Sequence, residues 1–403
     1  MQWVFWLSLI LIIYSYALYP FLLAVLSFFN KLLSGKPRVP KKVPDRVSVS
    51  LVLVVDHDEP RVLERIENLL QSDYEKVVEV LVITGRGSTE KSEADGDVKD
   101  GGIGQWVREV ELERGKDGRA AALNQAVAIA KGEVVVFADV GQRFASDTVS
   151  HLVAPFVDKK VGAVTGWLEQ GQADGGAAES AVSLDVFREL EKIVLEKESD
   201  LASTVFCQRV VYAVRGDAYE AIDEDVLDDG LIVPMKIILG GHRVLFAPSA
   251  KAYQLEAVDS GSQMEEIKKE APLVAGQWQV MFRYPIWMFP WVNRLAWQLI
   301  SHVYLRLLGP VLLLVLLLSN MLLLNTSWFY WLVFLLQLAA YGLAASGCFK
   351  VTFPWAFASF LSKAAGGFVV LQALNFLALL HWLKGQLARI NNPNSEPRMT
   401  KIR

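Results

Sequence analysis

The sequence is poor in the residues that staple small secreted folds or build metal clusters: 403 residues hold two cysteines and five histidines. Cys207 and Cys348 lie far apart, which makes neither a disulfide framework nor the close ligand pairs of a structural zinc site. Two buried free thiols are the expectation. Charge is also scarce, at 21% against 53% hydrophobic residues. A chain so apolar is not disordered, and a net charge of −4 gives no basic surface for nucleic acid. The scarcity is uneven. No Asp, Glu, Lys or Arg precedes Lys31, whereas the stretch from 45 to 282 has the composition of a soluble domain.

The first apolar run needs only about 20 residues to cross a bilayer, so 1–34 is read as one tilted or kinked anchor, interrupted at Pro20. It lacks the basic start and small-residue cleavage site of a signal peptide. Lys31, Lys36, Arg38, Lys41 and Lys42 follow it, which by the positive-inside tendency puts the next domain in the cytoplasm. At the other end, 303–385 offers spans at 306–324, 328–347 and 364–383, with Gly366-Gly367 as a candidate break. The segment 353–362 is expected in the interface or re-entering. Residues 283–302, where Arg283 and Arg294 mix with Trp287, Trp291 and Trp297, suit a headgroup-level helix. A basic tail, 386–403, closes the chain. The expected location is the cell (inner or plasma) membrane, multi-pass, with the main domain cytoplasmic.

Between the apolar ends, Val47–Val55 is a β-branched run of the kind found in buried parallel strands. Strands are expected at 77–84, 106–112, 133–138, 161–167 and 204–214. Helices are expected at 60–71, 119–131, 146–157, 178–200 and 230–239. Alternation of this kind predicts a doubly wound α/β sheet with mostly parallel strands. Such sheets bind ligands beyond the carboxyl ends of their strands. Those ends are polar: Asp56-His57-Asp58-Glu59, then Thr84 to Ser88, then Asp139-Val140-Gly141.

A carboxylate at a strand end beside glycine, as at Asp139, suits a divalent metal that keeps positions for substrate oxygens. A second carboxylate opening a helix, Asp229 or Asp228, suits a general base toward an acceptor hydroxyl. Arg119 and Lys116 at another helix start suit phosphate oxygens. Asp223, Glu224 and Asp225 read as solvated capping charges, and His57 either covers a nucleotide base or simply decorates a polar loop.

These segments, in this order, resemble the membrane-embedded family 2 glycosyltransferases, the group of cellulose, hyaluronan and poly-N-acetylglucosamine synthases. VVDHDE at 54–59 stands where that family has its strand-end PxxNE. QSDYEKVVEVLVI at 71–83, GSTE at 87–90 and GRAAALNQA at 118–126 resemble QDYPxxEIIVV, GSTD and GKAxALNxA. Residues 137–166 follow the segment with the first metal-binding Asp, and 228–257 looks like the "ED" helix and its trailing strand. The resemblance implies a GT-A fold over 45–282, a nucleotide-sugar donor (a UDP-sugar), Mg2+ or Mn2+, and an inverting transfer to a membrane-associated glycan or lipid-linked acceptor. It implies Asp229 as base with Asp228 beside it, Asp139 as metal and diphosphate ligand, and Asp58, Glu59 and Arg119 at the donor, next to His57 with its two readings. Membrane lipid is an expected partner and nucleic acid is not.

Three departures stand out. Thr84 to Ser88 lacks the nucleoside-binding Asp, Asp139-Val140-Gly141 lacks the second carboxylate of DxD, and 269–273 lacks QxxRW. Gln277 and Trp278, one turn on, are the expected acceptor-side substitutes. These losses motivate a second reading, a catalytically impaired scaffold or regulatory subunit of an active membrane synthase. A transporter is disfavoured, because the spans hold almost no ionisable residues.

Overall fold

The computed structural model describes residues 1–34, 47–55, 61–85, 106–113, 116, 118–169, 185–254, 263–348 and 356–391. The chain divides into two units, one formed by Met1–Leu26, Glu179–Val194 and Ser260–Arg403, the other by Ser27–Ala178 and Leu195–Asp259.

In the second unit the apolar runs form the sheet that their β-branched composition predicts. The strands are β1 (Val49–Val55), β2 (Val77–Thr84), β3 (Val107–Glu111), β4 (Val134–Asp139), β5 (Gln142–Phe144), β6 (Val161–Glu169), β7 (Val211–Arg215) and β8 (Arg243–Gln254). Their order across the sheet is β3-β2-β1-β4-β7-β6-β8-β5. Strands β1 to β4 are mutually parallel, β7 runs against both β4 and β6, and β5 runs against β8. Val49, Leu51, Leu53, Val134 and Val136 are buried in one core; each such side chain contributes about 1.5–3 kcal/mol on leaving water. The strand order reverses between β1 and β4, which marks the switch point where such sheets open a crevice.

Helices α3 (Val62–Leu70), α4 (Gly118–Ile129), α5 (Thr148–Val153) and α7 (Asp229–Leu239) connect the strands, and α6 (Asp185–Leu201) is divided between the two units. Gly118 has φ +83°, a left-handed turn that opens α4. One expectation needs correcting. The strand expected over 204–214 begins only at Val211, because the preceding residues bond elsewhere. The Cys207 amide donates to the Gly230 carbonyl at 2.8 Å, and the Gln208 amide to Thr165 Oγ1 at 2.8 Å. Cys207 is free and buried, as expected, and burial pushes its thiol pKa up.

The other unit is helical. α1 (Gln2–Ile13) continues through a π-helical turn, Tyr14–Leu18, into α2 (Tyr19–Ser34). α8 (Gln263–Arg283) is followed by α9 (Ala296–Leu307), α10 (Gly309–Leu323), α11 (Trp328–Cys348) and α12 (Ala356–Asn391). Gln2–Leu33, Trp328–Ser346 and Ser359–Ala388 are long and apolar enough to cross a membrane, and α9 with α10 passes the same test as a pair bent by 63°. Phe5 packs with Leu316, Leu323 and Tyr330. Glu191 bonds His302 at 2.7 Å and Arg306 at 2.6 Å, so this carboxylate does not stand alone among the apolar helices.

Two further expectations change here. Gly366-Gly367 does not break α12, since a glycine costs only about 1 kcal/mol in a helix and apolar surroundings favour unbroken backbone pairing. Residues 283–302 do not form one headgroup-level helix. Pro285 starts a short 3₁₀ turn, and Asn293 ties the loop by donating to the Trp287 carbonyl at 3.0 Å and accepting from the Leu295 amide at 2.9 Å. Trp287 is buried, while Trp291 is exposed.

A small clasp ties α3 to β5. Asn68 on α3 accepts from the Phe144 amide at 2.8 Å and donates to the Phe144 carbonyl at 3.0 Å. Replacing it by alanine leaves both backbone groups unpaired, so Asn68→Ala should destabilise the protein by about 1–3 kcal/mol, read as a lower denaturation midpoint.

Candidate active site

Topology brings four elements to one end of the sheet. Asp139 is the last residue of β4, at the carboxyl edge beside the switch point. Because β7 is antiparallel to β4 and pairs Val211 with Ala138, the residues just before β7 lie level with Asp139. Arg209 is one of them. Helix α4 follows the end of β3, placing Arg119 in its first turn, and α7 starts at Asp229.

The side chains converge on Asp229. Its Oδ1 accepts from Arg209 Nε at 2.6 Å and Arg119 Nε at 3.2 Å, and its Oδ2 from the Tyr212 hydroxyl at 3.0 Å. Arg119 also donates through Nη2 to the Arg209 carbonyl at 2.6 Å, and its Nη1 stands 3.5 Å from Asp139 Oδ2. Tyr212 rests against Phe137, ring centroids 4.8 Å apart. Asp228 is the N-cap of α7 and accepts from the Gly230 amide at 3.0 Å. Both carboxylates sit where a helix start favours negative charge. Gly230 allows the close approach: a Cβ there would lie 2.5 Å from the Cys207 carbonyl oxygen and 3.0 Å from Arg209 Cγ.

Asp229 is 3% exposed. Burial alone would raise its pKa, but Arg119 and Arg209 outweigh it and pull the carboxyl down to about 2. Burial would lower the Arg119 pKa, yet Asp229 and Asp139 hold it above the ordinary guanidinium value. Tyr212 is pushed well up by burial and by Asp229, so its hydroxyl stays a donor.

Supporting contacts fix the frame. Arg65 donates to the Asp139 carbonyl at 2.9 Å and lies 4.3 Å from the Phe144 ring centroid; burial pushes its pKa down to about 9. Asn124, from the GRAAALNQA segment, donates to the Ile222 carbonyl at 2.7 Å. Its oxygen accepts from the Ile222 amide at 2.9 Å and from Tyr219 at 2.8 Å. That anchors the loop leading through exposed Asp223 and Glu224 to Asp228.

Of the residues expected at the site, Asp139, Asp229, Asp228 and Arg119 come together. Lys116 instead pairs with Glu113 at 2.9 Å. His57, Asp58 and Glu59, and residues 86–104, lie outside the described residues. Gln277 and Trp278 are on α8 in the helical unit, where Trp278 stacks with Phe282 at 6.1 Å and Trp382 at 6.5 Å. Arg209 and Tyr212 were not legible as site residues. Arg209, with Gln208 before it, interrupts a mostly apolar run, and that interruption is the signal available for it.

A divalent cation fits this set poorly. Val140 packs into the core and Gly141 has no side chain, so the strand end offers one carboxylate, already faced by a guanidinium. No group of three His, Cys, Asp or Glu is placed to hold a metal ion among the described residues.

A mixed, mostly parallel sheet with this crevice and helix-borne acid is the GT-A fold of glycosyltransferases. Residues 50–220 match the family described as Glycosyl transferase family 2. Among solved structures, the mannosyltransferase PcManGT from Pyrobaculum calidifontis, in complex with GDP-Man and Mn2+, is similar over 94% of this chain and 99% of its own, at 20% identity and a TM-score of 0.66. GalNAc-T7 with UDP, GalNAc and Mn2+ covers 60% of this chain and 48% of its own, at 15% identity and a TM-score of 0.42. Glucosyl-3-phosphoglycerate synthase from Mycobacterium tuberculosis, with Mg2+ and UDP, covers 58% and 79%, at 17% identity and 0.36. No curated protein matches the chain. At these identities the likeness is one of fold.

The ion network makes a pH prediction. A carboxyl depressed from its ordinary value near 4 to about 2 stabilises the fold fully above pH 4, and that contribution is lost as pH falls through 2. Asp229→Asn should cost about 3 kcal/mol at neutral pH by leaving two arginines without their shared partner. The stability gap to wild type should narrow between pH 4 and 2; a constant gap would contradict the depressed carboxyl.

Proposed function

We propose that the protein is an inverting glycosyltransferase that moves a sugar from a nucleoside-diphosphate sugar, in the first instance a UDP-sugar, to a membrane-associated glycan or lipid-linked acceptor. The observation that carries this reading is Asp229, a buried carboxylate at a helix start, gathered with two arginines and Asp139 at the switch point of a GT-A sheet. Helices apolar enough to span a membrane lie in the same chain, which supports a membrane-delivered acceptor and multi-pass insertion. The basic flank after the first helix supports a cytoplasmic catalytic domain.

In the transfer, the bond between the sugar's anomeric carbon and the diphosphate oxygen breaks, and its electron pair stays on the diphosphate. The acceptor oxygen bonds the same carbon from the opposite face and gives its proton to a carboxylate. Asp229 takes that role in this reading, with Asp228 holding the start of its helix. A carboxyl held near 2 is a weak base. Asp229 therefore gains basicity when Arg119 turns from it toward the donor's phosphates. Mg2+ or Mn2+, implied by the sequence resemblance, meets one carboxylate here, and no step is assigned to it. Gln277 and Trp278 are retained as the acceptor-side residues on the strength of their position after 269–273.

The second reading, a scaffold within a membrane synthase, is favoured by the closed ion network on Asp229. Calorimetric titration of the purified full-length chain with UDP- and GDP-sugars separates the two. Binding of one donor class supports the enzyme; no binding by folded protein supports the scaffold. Given a donor, Asp229→Glu keeps the counter-charge but shifts the carboxylate by a methylene, so turnover should fall about 100-fold while the donor still binds. Unchanged turnover would remove Asp229 from the chemistry.

A further inference from the structure

A departing nucleoside diphosphate gains negative charge as the glycosidic bond breaks, and arginines, lysines or a divalent ion can neutralise it. The strand end of β4 is poorly made for the ion, with one carboxylate and, two positions on, Gly141, which has no side chain to serve as a second ligand. It is well made for guanidinium. Arg119 and Arg209 share one oxygen of Asp229, and Arg119 Nη2 on the Arg209 carbonyl ties the two residues together. Arg119 faces both Asp229 and Asp139, so that with Arg209 two cations balance two carboxylates. Of the two, Asp139 is the more exposed acid and stands at the long distance of 3.5 Å, an ion contact easily exchanged for phosphate.

Arg209 adds an independent sign. Among the described residues it donates through Nε alone, leaving both terminal nitrogens of its fork unengaged. That planar edge matches two phosphate oxygens at once. Arg119 stands where the resembling family has lysine, and a guanidinium gives a bidentate grip that an ammonium cannot.

Resting on the donor-binding reading above, we propose that the Arg119–Arg209 pair, anchored on Asp229, takes the place of the divalent cation and holds the donor's diphosphate, so that donor binding does not require a metal. Asp229 is then the anchor of the pair without donor and the proton acceptor with it. The group that leaves Asp229 for the phosphates is the one that had suppressed its basicity.

The test is calorimetry of the full-length protein with UDP and GDP and their sugars, in EDTA and again with Mg2+ or Mn2+. The expected result is a dissociation constant in EDTA within about threefold of that with metal. Arg209→Gln, folded by its melting curve, should bind at least about tenfold more weakly in EDTA, with no recovery on adding metal. Arg119→Lys keeps the charge and should weaken binding as well. Binding that vanishes in EDTA and returns with Mg2+ or Mn2+ would overturn the inference and leave the donor site standing. Arginine variants that bind as wild type would also overturn it. Absence of binding in every condition would remove the donor site itself, and the inference with it.

Discussion

Two arginines balanced on one buried carboxylate organise the crevice of this protein. Asp229 is tolerated in the interior only because Arg119, Arg209 and Tyr212 bond it from three sides. The arginines come from segments far apart in sequence, one opening α4 and one preceding β7. Their common partner therefore couples helix α7 to both. The late start of the strand in the 204–214 segment has its cause here: the backbone bonds elsewhere at Cys207 and Gln208, and Arg209 reaches Asp229.

The same network sets the chemical character of the site. Many hydrolytic and transfer sites place a metal at the end of a strand, and the acid there stays open to it. In this chain the acid at the end of β4 faces a guanidinium, and the acid at the start of α7 is neutralised by two. Positive charge in the crevice is thus carried by covalently attached side chains. A guanidinium is directional where an ion is not, and the direction of the Arg209 fork is set by the fold around Gly230, where the Arg209 stem passes with no room for a Cβ.

Motif-like segments also hold the frame of the site. Asn124 in GRAAALNQA bonds the loop at Ile222 and Tyr219, and through that loop it fixes the approach to Asp228. Arg65 bonds the backbone at Asp139, and Asn68 bonds it at Phe144. In the helical unit, Trp278 is packed in a stack with Phe282 and Trp382, a structural use of that side chain.

Composition and periodicity alone determined the α/β sheet, the apolar ends and the polar strand termini, because each depends on residues within one turn or one strand. Asp139, Asp229, Asp228 and Arg119 were legible for the same reason: each sits at an element boundary with a recognisable local signature. The tertiary structure decided what sequence distance hides. It joined Arg209 and Tyr212 to the site through the antiparallel pairing of β7 with β4, carried α12 unbroken past Gly366-Gly367, and broke 283–302 into turns around buried Trp287. Charge pairing and burial are long-range, and a residue such as Arg209 acquires its role only when the fold brings it a partner 20 positions away.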